Sequence, residues 1–148
     1  MKRLVPVVAA IVVGSAVALG GLALAAGDEA APVTLGPDPV TVVVDVEHSR
    51  FIPSTLRVEV GTEVRFVVHN DDPINHELIV GTPDVHARHR NGTEAKHPPR
   101  PGELSVGPDE HGVTTYRFDE PGVVEIACHL PGHYDYGMRG EVEVVEVP

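Results

Sequence analysis

The stretch FIPSTLRVEVGTEVRFVVHN, residues 51 to 70, decides the fold. Leu56, Val58 and Val60 alternate with Arg57 and Glu59; after them Val64, Phe66 and Val68 alternate with Arg65, Val67 and His69. A period of two belongs to strands with one buried face. Gly61-Thr62 between the two runs predicts a tight connection. Working outward, Val42, Val44 and Val46 carry the same alternation upstream, and further strands are expected at 75–81, 113–118, 123–128 and 141–147. No window of useful length has an amphipathic helical period, and there are no internal repeats. Roughly seven or eight short strands between Gly/Pro turns predict an all-β chain, a two-sheet β-sandwich whose apolar faces meet.

Upstream of this domain, Lys2 and Arg3 precede an uncharged run from Leu4 to Ala26 that contains the small-residue pattern Ala23-Leu24-Ala25. This is the form of an export signal, residues 1–25, removed after Ala25. The run is also long enough to cross a bilayer, so an uncleaved anchor is the alternative. Either way the domain is expected outside the cytoplasm: periplasmic, extracellular or held at the outer face of the cytoplasmic membrane. The segment AGDEAAPVTLGPDP, 26–39, reads as a flexible linker, leaving 40–148 as the folded domain.

Eleven Lys and Arg face twenty-two Asp and Glu, a net charge of −11 on 148 residues. Loss of Lys2 and Arg3 with the leader leaves nine cations and a net charge of −13. Such a surface repels nucleic acid and anionic lipid, so no nucleic-acid partner is expected, and membrane contact only through an uncleaved leader. A single Cys excludes an internal disulfide.

The chemistry gathers in CHLPGHYDYGM, residues 128 to 138, where Cys128, His133 and Met138 are separated by four residues in each gap. A thiolate, an imidazole and a thioether are donors that copper accepts in both oxidation states. Turns at Pro131-Gly132 and Gly137 let so short a segment fold around one point. A second imidazole must come from elsewhere. His76 shares its side of a strand with Leu78 and Val80, as Cys128 does with Val124 and Ile126, so both point between the sheets. His69 has the opposite parity and should face solvent; His129 should point away from Cys128. A long polar segment, 82–103, holds His86, His89 and His97, which read either as an accessory metal set or as incidental histidines of a solvated loop.

The 128–138 segment resembles the ligand loop of the blue-copper proteins, the cupredoxins, which include plastocyanin and azurin. Residues 51–70 are similar to that family's early strand pair, and INHELIVG, 74–81, to the strand bearing its first His ligand. The resemblance implies a Greek-key sandwich with one type 1 copper held by His76, Cys128 and His133, with Met138 as a weak axial ligand. It also implies that Asn75 steadies the thiolate from the outer shell, and that an apolar patch of Leu130, Pro131 and Tyr134 surrounds His133. Multicopper oxidases flank the Cys with His on both sides, whereas Ala127 precedes it here; a binuclear copper centre needs two Cys. The function expected is therefore not enzymatic: a monomer that carries single electrons between redox partners, one of them with a basic docking surface. The alternative is a copper-sequestering or copper-resistance protein with no dedicated redox partner.

Overall fold

The structure, a computed structural model, describes residues 34–36, 39–92 and 97–147. The expected leader, 1–25, lies outside these residues. Among them are ten strands and one helix: β1 (Thr34–Leu35), β2 (Val40–Glu47), β3 (Arg50–Ile52), β4 (Thr55–Glu59), β5 (Thr62–Asn70), β6 (His76–Gly81), α1 (Pro83–Arg90), β7 (Glu103–Val106), β8 (His111–Phe118), β9 (Gly122–Ala127) and β10 (Arg139–Val145). Two mixed sheets form, one in the order β1-β4-β10-β9-β6-β7, the other β3-β2-β5-β8. The sandwich expected from the alternation is the architecture found.

Alternation dictates the packing. Val64, Phe66 and Val68 of β5 are fully buried, as are Val44 and Val46 of β2. They meet Val58, Leu78, Ile126 and Val142 from the other sheet. The strand β6 is buried along its whole length. Its even-numbered residues Leu78 and Val80 enter the core between the sheets, while α1 packs on the strand from outside. A strand covered on both faces loses the polar alternation that marks a half-buried one.

Three features depart from the sequence reading. Thr34–Leu35 lies inside the segment read as a linker, yet it pairs in parallel with β4, placing Leu35 opposite Val58. Leu35 packs on the core, and the Thr62 hydroxyl donates to the Gly36 carbonyl at 2.7 Å. Strand pairing is a backbone interaction, available to a dipeptide too short to carry a detectable period. The segment 82–103 also contains α1 and the start of β7, where only loop was expected. The helix announces itself by its ends: Pro83 in the first turn with Asp84, and Arg88, His89 and Arg90 in the last turn. Its buried residue is a histidine, so hydrophobic periodicity had nothing to detect. The third feature, β3, is a three-residue edge strand, too short to show a period.

Candidate metal centre

Three strand ends assemble the site. His76 opens β6, Cys128 follows the last residue of β9, and Met138 precedes the first residue of β10. β6 and β10 both run antiparallel to β9, with Ile79 and Arg139 each opposite Ala127, so these ends converge at one edge of the sandwich. The loop between Cys128 and Met138 is closed by its own backbone. Met138 N–H donates to the His133 carbonyl at 3.0 Å, and Cys128 N–H donates to the Met138 carbonyl at 3.1 Å. Gly137, at φ 91°, supplies a left-handed turn that other residues adopt with strain.

The donor atoms of His76, Cys128 and His133 all lie within 4.8 Å of one another. His133 Nδ1 is 3.2 Å from His76 Nδ1 and 3.3 Å from Cys128 Sγ. Cys128, His76 and Met138 are fully buried, whereas His133 is half-buried and connects the cluster to the surface. Met138 thus lies in the core with its backbone fastened to both loop ligands.

His76 is held by a partner the sequence reading missed. Its Nε2–H donates to Asp72 Oδ2 at 2.9 Å, because a carboxylate only accepts. That fixes the tautomer and leaves Nδ1 as a bare lone pair aimed at His133. Asp72 is itself anchored, its two oxygens accepting from the backbone N–H groups of His48 and Ser49, each at 2.8 Å. Burial alone would raise the Asp72 carboxyl, but those N–H groups and His76 outweigh it and hold it below the usual carboxylate range. A carboxylate behind a ligating imidazole is the usual orienting device of metal sites. The clue in the sequence is the turn NDDPIN, 70–75, too short to place Asp72 away from His76.

Electrostatics suit a neutral imidazole pair and a guarded thiol. Burial, and then the adjacent His133, lowers His76 below the ordinary imidazole value, against the pull of Asp72; burial lowers His133 likewise. Burial pushes the Cys128 thiol up to about 12, opposed by the backbone N–H groups of Glu77 and Leu130 and reinforced by the Glu77 charge. Those two amides occupy the place expected for Asn75, whose residue is exposed. Glu77, the residue after the first histidine, directs its backbone N–H at the sulfur.

The remaining expectations divide. His69 is part-exposed and pairs with Asp45 at 3.1 Å, away from the cluster. His129 points to the outer side of β9, where its Nε2 meets His86 Nδ1 at 2.9 Å. His86 is therefore separated from His89 and His97, the other members of the loop set; those two converge instead on Glu77. One turn of α1 sends His86 toward β9 and His89 toward β6. Tyr134 does not contribute an open apolar face beside His133. Its ring stacks on His129 and its hydroxyl donates to Glu125 at 2.7 Å. Pro131 is exposed and Leu130 is half-buried against the core.

A thiol and two imidazole nitrogens at these separations, one imidazole locked with its lone pair inward, fit a copper ion. Comparison with known proteins agrees. Residues 39–145 match the family model described as copper binding proteins, plastocyanin/azurin family. The copper-resistant cuproprotein CopI of Rubrivivax gelatinosus is 35% identical over 105 residues, covering 69% of this chain and 64% of the relative, so the chain matches somewhat under two thirds of that protein's length. Among solved structures, auracyanin B superposes with a TM-score of 0.57 at 28% identity, covering 72% of this chain and 88% of that one. Auracyanin A, a "blue" copper protein from Chloroflexus aurantiacus, shares the fold with a TM-score of 0.56 at 22% identity over 72% of this chain and 99% of that one. This chain is a copper-binding protein and a member of the plastocyanin/azurin family.

Proposed function

We propose that the protein is an exported, non-enzymatic cuproprotein of copper tolerance in which His76, Cys128 and His133 would hold one copper, with Met138 as a further sulfur donor. The observation behind this reading is the convergence of three donor atoms on one point, with Asp72 locking the His76 tautomer. When bound there, copper supplies single-electron exchange between Cu(II) and Cu(I), which mixed nitrogen and sulfur donors accommodate in both states. The protein's own part is to hold these donors in one arrangement from buried strand ends, so that little moves when charge changes. His133, the half-buried ligand, gives the route for electrons to and from the surface. The relatives called copper-resistant cuproproteins support the tolerance role.

The second reading, a dedicated electron carrier, is favoured by the buried, preorganised cluster and by the surplus of acidic residues, which suits a basic redox partner. Growth of a strain lacking the gene separates the two. Copper sensitivity rescued by the wild-type gene and not by Cys128→Ser supports tolerance. Equal growth at raised copper with and without the gene overturns it, and a loss of respiratory or photosynthetic electron flow at trace copper would then identify the carrier.

A further inference from the structure

Alternate residues of β6 serve opposite faces. His76 faces the cluster described above, and Glu77 turns to the outer face, beneath α1 and the segment at His97. There the Glu77 carboxylate is buried, 2% exposed, with no Lys or Arg contact among the described residues. Two imidazoles approach it instead. His89 Nδ1 is 3.3 Å from Glu77 Oε2, and His97 Nε2 is 4.0 Å from the same oxygen. The donor atoms of Glu77, His89 and His97 lie within 4.8 Å of one another.

The far nitrogens of both rings are already committed. His89 Nε2–H donates to Glu103 Oε2 at 2.8 Å, and His97 Nδ1–H donates to the Pro98 carbonyl at 2.9 Å, since neither oxygen can donate. The neutral form of each ring thus turns a lone pair toward one carboxylate oxygen. His97 Nε2 is buried without a hydrogen-bond partner, on a side chain 4% exposed. A buried polar atom left unpaired is destabilising, and three lone pairs converging without a proton repel one another. A cation removes both penalties. Glu103 is held in turn by Arg88 and by Arg100, the latter at 3.5 Å, so the orienting partner of His89 is rigid.

We propose that Glu77, His89 and His97 form a second metal site, distinct from the cysteine-containing one, for a borderline divalent cation, Cu(II) or Zn(II). Two imidazoles and a carboxylate with outer-shell partners are the ligand set such ions take. With no thiolate, bound Cu(II) there contributes no intense visible band, so the two sites are read separately. Glu77 Oε1 also accepts from the His129 N–H at 2.8 Å, which ties this site to the residue after Cys128.

The test is calorimetric titration of the full chain, first brought to its maximal visible band with copper, against Cu(II) alone and Zn(II) alone. One further equivalent of at least one ion is expected, leaving that band in place. His89→Gln and His97→Gln should each weaken this second binding by more than about 100-fold, beyond the roughly 10–100-fold typical of losing an outer hydrogen-bond partner. Retention of the visible band in both variants reports that the fold is intact. Absence of a second equivalent, or a second equivalent bound with undiminished affinity by both variants, overturns the site. Either result leaves the cysteine-containing site standing, because the visible band measures it independently.

Discussion

The side chain of Glu77 accepts a 2.8 Å hydrogen bond from the backbone N–H of His129. These residues follow His76 and Cys128 in the sequence, so one bond outside the core braces the two strands that present those ligands inside it. Glu77 also sends its own backbone N–H toward the Cys128 sulfur, while its carboxylate charge opposes thiolate formation. Burial of the carboxylate makes this electrostatic influence stronger than a surface charge would exert.

Glu77→Gln should therefore raise the reduction potential of the copper-loaded protein, because removing an anion near the thiolate destabilises Cu(II) relative to Cu(I). For a one-electron couple, a tenfold change in that balance reads as about 59 mV. Voltammetry of both forms, with the visible band as a control for an intact site, measures it. An unchanged or lowered potential contradicts the coupling.

Asp72→Asn should weaken copper binding by about 10–100-fold, the usual consequence of removing the partner that orients a ligating imidazole. The amide carries one accepting oxygen where the carboxylate uses two for His48, Ser49 and His76. Competition against a chelator of known affinity reports the loss. Equal affinity would mean that strand packing alone orients His76.

Met138→Leu should keep copper bound and the visible band present while raising the potential, since the thioether is the weakest donor of the set. The swap is nearly volume-conserving, so the stability cost should stay below about 1.5 kcal/mol. A potential unchanged or lowered would reduce Met138 to a packing residue.

Acid should destabilise the metal-free protein. Burial depresses His76, His86, His129 and His133 below the ordinary 6.5, His129 to about 4 with His86 and Arg90 assisting. Between those values the unfolded chain binds more protons than the folded one, so stability is full above about pH 6.5 and falls as pH drops toward 4. Asp72 and Glu103, both held below the usual carboxylate range, extend the loss at still lower pH. Urea midpoints at pH 7, 5.5 and 4.5 should decline in that order, and less steeply in a His86→Gln, His129→Gln double variant. A flat profile would show that these imidazoles are not buried neutral.

The sequence by itself determined the sandwich and the donor loop. Period-two alternation such as Val64-Phe66-Val68 is a local signal, and a Cys, a His and a Met within eleven residues can reach one point without help from the rest of the chain. Strand parity was likewise enough to send His76 and Cys128 inward and His129 outward. The tertiary structure alone decided what surrounds these groups. Asp72 reaches His76 through a turn pinned by His48 and Ser49, contacts spanning more than twenty residues. The histidines of the 82–103 segment were legible as residues but not as partners. A short helix with a polar buried face has no apolar period to reveal its rotation, and that rotation assigns His86 to His129 and His89 to Glu77. Glu77 reads from its strand as one more polar residue in alternation. It became a buried carboxylate facing two imidazoles only because α1 and the His97 segment fold back over the outer face of β6.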